Sequence, residues 1–85
     1  METYSVDQNN SGGYFLGPQK IYFEAANPKE ARVIWEQISE HLDHSYCECC
    51  GSRWYSPWED SFPNNAEMTT MTDIMNHEGN VLVIL

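Results

Sequence analysis

The pattern of apolar and polar positions predicts that the chain begins with short strands. Thr3–Val6 alternates between polar and apolar residues, and Lys20–Ala25 repeats that alternation, with its apolar side chains on one face. Tyr14–Leu16 is a further extended stretch, and it follows the turn-forming run Asn9–Gly13. We therefore expect two or three antiparallel strands at the start of the domain.

A helix is predicted directly after the second alternating stretch. Asn27 suits the N-cap, Pro28 suits the first helical position, and the side chain of Glu30 can reach back to the N–H of the cap residue. The periodic pattern continues to about Leu42. Apolar residues recur at helical spacing and form one stripe that should pack on the sheet: Ala31, Ile34, Trp35, Ile38 and Leu42.

The opposite side of this predicted helix is acidic. Glu36, Glu40 and Asp43 lie away from the apolar stripe. A row of acids on a helix face is usual for solvated surface. It is also a suitable binding surface for a basic partner, and both interpretations remain open at this point.

The C-terminal part of the sequence has two interpretations. Met68–Met75 could form a helix, but its three threonines favour a strand. The sequence predicts a turn at His77–Asn80 and a buried strand at Val81–Leu85. Together with a strand in Met68–Met75, they predict a C-terminal hairpin. The expected fold is α+β in a single domain over residues 1–85: a small antiparallel β-sheet, one amphipathic helix packed on it and a Cys/Trp-rich loop.

Charge narrows the range of partners. Thirteen acids oppose four bases in 85 residues, which gives a net charge of −9. Such a surface repels nucleic acid and anionic membranes and attracts basic grooves on proteins, although it also favours plain solubility. The start of the chain lacks the basic and apolar runs of a signal peptide, and no apolar run is long enough to span a bilayer.

The cysteine segment is a candidate metal site. Cys47 and Cys50 form a C-x-x-C-G knuckle, in which two thiolates can bind one metal ion. A structural zinc ion needs four ligands, and His44 and Cys49 could supply the others, with His41 and His77 as further options. The alternative is a set of buried thiols without metal. An odd number of cysteines suits a reducing cytosol, and the neighbouring acids disfavour a reactive thiolate.

Two tryptophans follow the cysteines and are candidate partner-binding residues. Trp54 and Trp58 lie beside Arg53, a composition typical of protein hot spots and of base-stacking surfaces. Base stacking needs a basic groove, whereas Glu59 and Asp60 follow here. The tryptophans could equally cover the cysteine knuckle and complete a small core.

Two segments of the chain resemble a known family. The run Asn9–Gly13 (N-N-S-G-G) and the run Cys47–Trp54 (C-x-C-C-G-x-R-W) together resemble a family of small tailed-bacteriophage proteins of undefined activity. The resemblance covers roughly residues 4–58. It implies a phage origin, and it assigns no catalytic residue.

These observations lead to a binding function and not to an enzyme. The sequence contains no phosphate-binding, dinucleotide-binding or zinc-protease motif. We expect a phage accessory protein that acts in the host cytoplasm and uses an acidic surface to bind and inhibit a host protein, such as a nucleic-acid-handling or defence factor. The alternative is a zinc-stabilised structural or assembly module, which could form a homodimer through Trp54 and Trp58.

Overall fold

A computed structural model describes residues 1–8, 17–42 and 54–85, and the backbone alone at residues 46–47 and 51–52. The elements in chain order are β1 (Glu2–Asp7), β2 (Pro18–Ala25), α1 (Pro28–Ser39), β3 (Tyr46–Cys47), β4 (Gly51–Ser52), β5 (Trp58–Glu59), β6 (Glu67–Thr69), the 3₁₀ turn η1 (Ile74–Asn76) and β7 (Gly79–Val83). The expected strand at Tyr14–Leu16 and the Asn-Gly turn before it lie outside the described residues.

The main sheet is mixed. Its strand order is β5-β1-β2-β7-β6, while β3 and β4 pair separately. β1 is antiparallel to β2 and β5, as expected for the start of the chain. β7 is parallel to both of its neighbours. The α+β class is confirmed, but the expectation of a purely antiparallel sheet is wrong.

One face of the sheet carries the core. Tyr4 pairs with Phe23 and Val6 pairs with Ile21 across β1 and β2, and all four side chains are buried. This agrees with the face predicted for the second strand. Tyr22 points to the other face but is also buried, and the ring of Phe62 lies 6.4 Å from its ring. The segment after β5 therefore covers part of the second face.

The helix begins as the sequence predicts, with one difference. Asn27 Oδ1 accepts a hydrogen bond of 2.9 Å from the Glu30 N–H, and Pro28 is the first helical residue. Glu30 Oε1 accepts instead from the N–H of Ala26, at 3.3 Å, and not from that of the cap residue. The reciprocal bonding of a capping box is thus shifted by one residue.

The helix ends at Ser39 and not near Leu42. The N–H groups of His41 and Leu42 bond to carbonyls three residues back, at Ile38 and Ser39. The chain therefore continues after Ser39 as a tighter turn of the 3₁₀ type and not as α-helix. Leu42 is nevertheless buried, and so are Ala31 and Ile38. The predicted apolar stripe therefore packs on the sheet, with Ile34 and Trp35 half-buried at its margin.

The predicted C-terminal hairpin is wrong. β6 and β7 are parallel, so the chain between them returns along the sheet to the end where β6 begins. This connection contains η1, where Ile74 is fully buried in the core. Burying Ile74 requires this longer path, which a tight turn at His77–Asn80 would not allow. Residues 68–76 therefore contain a strand end and a helical turn, and Gly79 begins β7 with a positive φ of 75°.

Within the described residues, no helix has both the length and the apolar character that a membrane crossing would need.

Candidate functional site

The two acids of the predicted binding face that the structure describes lie at the C-terminal end of α1. Glu36 is in the last turn and Glu40 is the C-cap residue, and both side chains are exposed. The last turn contains no basic residue. We call Glu36 and Glu40 the helix acid pair. Asp43, the third predicted member, lies outside the described residues.

The two tryptophans lie on different faces of the sheet. Trp54 forms an isolated bridge with Gln8, and its ring lies 5.7 Å from that of Trp35 on the helix face. Trp58 pairs with Ser5 on the opposite face, and it is 57% exposed. Trp54 therefore contributes to the margin of the core, whereas Trp58 is available to solvent.

The structure does not bring the predicted partner-binding residues together on one surface. The helix acid pair lies on the outer side of α1, and Trp58 lies behind the sheet, on the face that α1 does not cover. A binding surface built on the acid pair must therefore take its other members from elsewhere.

The predicted metal ligands cannot be assembled from the described residues. His44, Cys49 and Cys50 lie outside them, and Cys47 is described only by its backbone in β3, paired with Gly51 of β4. Among the side chains that the structure describes, no group of three or more His, Cys, Asp or Glu residues could hold a metal ion. His77 instead bonds through Nδ1 to Glu67 Oε2 at 2.9 Å.

A polar cluster behind the sheet was not predicted from the sequence. Lys20 Nζ lies 2.9 Å from Asp60 Oδ2 and 3.7 Å from Asp7 Oδ1. The hydroxyl of Ser5 donates to Asp60 Oδ2 at 2.8 Å, and the N–H of Ser61 donates to Oδ1 at 2.8 Å. We call Lys20, Asp60, Asp7 and Ser5 the Lys20 cluster.

Ionisation in the Lys20 cluster is fixed by its hydrogen bonds. The Lys20 ammonium, followed by the Ser61 N–H and the Ser5 hydroxyl, lowers the pKa of Asp60 to about 2. The bond to Asp60 in turn raises the pKa of Lys20. Ser5 is fully buried and donates its proton to an ionised carboxylate, so the arrangement suits a structural ion pair that holds the segment after β5 on the sheet.

A pair of carboxylates meets at the edge of the sheet. Glu59 lies opposite Tyr4, and Glu2 is the diagonal neighbour of Glu59 on β1. A hydrogen bond with Glu2, and then the charge of Glu2, raises the pKa of Glu59. A proton on Glu59 is therefore held more firmly than a proton on an isolated carboxyl group.

An apolar cleft at the end of the sheet is the second feature that the sequence did not reveal. Its volume is about 430 Å³, and it lies between the first half of α1 and the ends of β2, β6 and β7. We call it the terminal cleft. Its lining is mostly apolar, with two acids: Met1, Glu24, Glu30, Ile34, Met68, Leu82, Val83, Ile84 and Leu85.

Scattered apolar residues in the sequence gave no sign of this cleft, because its lining comes from the two termini, the helix and three strands. The available signal in the sequence was the apolar run Val81–Leu85, which was predicted as a buried strand but leaves Ile84 and Leu85 exposed. Met68, Ile84 and Leu85 are all more than half exposed.

These features define a small acidic α+β protein with a mixed five-stranded sheet and a single described helix. Over residues 1–83 the chain matches the model of a family described as a domain of unknown function (DUF7296), and it belongs to that family. No curated protein and no solved structure matches it.

Proposed function

We propose that this protein is a phage accessory protein that acts in the host cytoplasm, where it binds a basic surface of a host protein and inhibits it. The class of partner is a nucleic-acid-handling or defence factor, because such proteins carry the basic grooves that an acidic surface can occupy. The resemblance of the cysteine segment and the Asn-Gly segment to tailed-phage proteins supports the host setting.

The position of the helix acid pair is the observation that carries the proposal. The C-terminal end of a helix already has a partial negative charge from its free carbonyl groups, so a cation is favoured there. This helix has Glu36 and Glu40 at that end and no basic residue in the last turn. Each acid costs about 0.5 kcal/mol in such a position.

A residue that lowers the stability of the element in which it lies is a candidate for a functional role. The helix acid pair and the helix end together concentrate negative potential on exposed surface. On α1 itself, Arg32 lies one turn before Glu36 and offsets only part of this potential, whereas Lys20 is paired with Asp7 and Asp60 on the other face of the sheet. A basic groove on a partner would offset it.

The test is affinity purification from lysate of the natural host, with quantitative mass spectrometry. The wild-type chain is compared with a Glu36→Lys/Glu40→Lys variant. The variant should lose the partner, and it should also unfold at a higher temperature, because lysine is favoured at a helix C-terminus. Loss of binding together with gained stability excludes unfolding as the cause.

The matched control is Asp73→Lys/Glu78→Lys, which changes the net charge equally at two exposed residues away from the helix. This control should retain the partner. Equal capture by the wild-type chain and the helix variant would reject the proposal, as would a captured protein whose purified activity the wild-type chain leaves unchanged. Capture by the wild-type chain should weaken as ionic strength rises.

A further inference from the structure

The terminal cleft is an open apolar surface and not an enclosed cavity. Met68 is 67% exposed and Ile84 is 52% exposed, and both line it. Met68 and Leu82 lie side by side in the register of β6 and β7, so the apolar lining continues to the edge strand of the sheet. Exposed apolar surface that is contiguous in this way is typical of a contact site for another protein.

The acids of the cleft stand beside this apolar lining. Glu30 and Ile34 lie one helical turn apart on α1 and both face the cleft. Glu24 lines it from the end of β2, and its side chain is exposed. None of the three basic residues that the structure describes, Lys20, Lys29 and Arg32, is in the lining. The cleft therefore offers apolar contact and negative charge at the same place.

This combination selects among the possible occupants. A second copy of the chain would bring another net charge of −9, with its own Glu24 and Glu30, against the same surface. Like charges that meet at an interface oppose association. A small apolar ligand would leave both carboxylates without a cationic partner. A segment with lysine or arginine beside apolar side chains satisfies the lining and the acids together.

We infer that the terminal cleft binds a short segment of the partner protein in which leucine-like side chains alternate with lysine or arginine. The apolar side chains occupy the space between Ile34, Leu82 and Ile84, and the basic side chains pair with Glu24 and Glu30. This inference rests on the proposed function only in that the segment belongs to a host protein. It adds a second contact surface, on a different side of α1 from the helix acid pair.

The test uses purified components. A fluorescein-labelled peptide of alternating leucine and lysine is titrated with the full chain, and its fluorescence anisotropy is measured. The binding should be saturable. It should weaken roughly tenfold in Met68→Gln and in Glu24→Gln/Glu30→Gln. A glutamine at position 30 keeps an acceptor for the Ala26 N–H, so the helix start is retained.

Matched controls distinguish the cleft from general attraction to an acidic protein. Val33→Gln removes a half-exposed apolar side chain from α1 outside the cleft, and Asp73→Asn/Glu78→Asn removes two charges elsewhere. Both should bind the peptide within about twofold of the wild-type chain. Ile84→Gln is a second apolar variant if Met68→Gln fails to fold, as judged by circular dichroism.

Equal weakening in the controls and in the cleft variants would overturn the inference. So would equal binding of a peptide with glutamate in place of lysine, or a dimer of the free chain in light scattering that the cleft variants dissociate. If the peptide binds in the cleft but no host protein is captured, the proposed function alone fails. If the host protein is captured and the peptide does not bind, the cleft inference alone fails.

Discussion

Asp60 links β1, β2 and the segment after β5 on the face of the sheet that α1 does not cover. It accepts hydrogen bonds from Lys20 on β2, from Ser5 on β1 and from the N–H of Ser61. Its replacement by asparagine removes the ion pair and leaves the buried Ser5 hydroxyl with a poorer acceptor. We expect Asp60→Asn to lower the free energy of unfolding at pH 7 by on the order of 2 kcal/mol.

The pH dependence of this loss has a definite sign. Asp60 has a pKa of about 2 in the folded protein and 3.8 as its ordinary value, so its stabilisation is complete above pH 3.8 and is lost as the pH falls towards 2. Urea unfolding at about pH 7 and about pH 2.5 should show the difference from wild type shrinking with acid. A constant difference would contradict the prediction, and Asp73→Asn should change stability little at either pH.

Ionisation of Glu59 lowers the stability of the folded protein, which is the opposite of the effect of Asp60. The pKa of Glu59 is raised by the neighbouring Glu2, so the contact with Glu2 is favourable while Glu59 is protonated and becomes repulsive as the pH rises through the raised pKa of Glu59. Glu59→Gln should therefore raise the melting temperature at pH 7. The gain should vanish below the ordinary pKa of 4.5. Thermal unfolding followed at both pH values checks this, and an equal gain in acid would contradict it.

At the scale of elements, the start of α1 depends on a single cap. Asn27→Ala removes the acceptor of the Glu30 N–H and should lower the free energy of unfolding by about 1 kcal/mol. Asn27→Ser should restore most of that loss, because serine also accepts at this position. Thermal unfolding with circular dichroism distinguishes the two, and equal melting temperatures for alanine and serine would show that the cap contributes nothing.

The elements that the sequence predicts well are those whose signals are local. The cap at Asn27, the stripe through Ala31 and Ile38 and the alternation of Lys20–Ala25 each depend on neighbours within a few residues. The direction of β7 does not depend on such local signals. It depends on where Ile74 is buried, and that is decided by the core and not by the threonines next to Met68.

At the scale of the whole molecule, the Lys20 cluster and the terminal cleft could not be predicted from the sequence for the same reason. Glu36 and Glu40 could be placed on the solvent face of a helix, because a helix has a known period. Lys20 and Asp60 are forty residues apart, and no pattern along the chain shows that they meet. The terminal cleft collects residues from both ends of the sequence, so it exists only once the sheet has formed.

The place of β7 in the sheet has a consequence for synthesis on the ribosome. β7 lies between β2 and β6, so one edge of β2 keeps unpaired N–H and C=O groups until residues 79–83 leave the exit tunnel. Until then the nascent chain exposes Ile21 and Phe23 beside an open strand edge, which is a substrate for chaperones. Ribosome-bound chains whose residues 79–83 are still inside the exit tunnel should be cleaved readily by protease, whereas chains with a C-terminal linker that brings Val83 out of the tunnel should resist it.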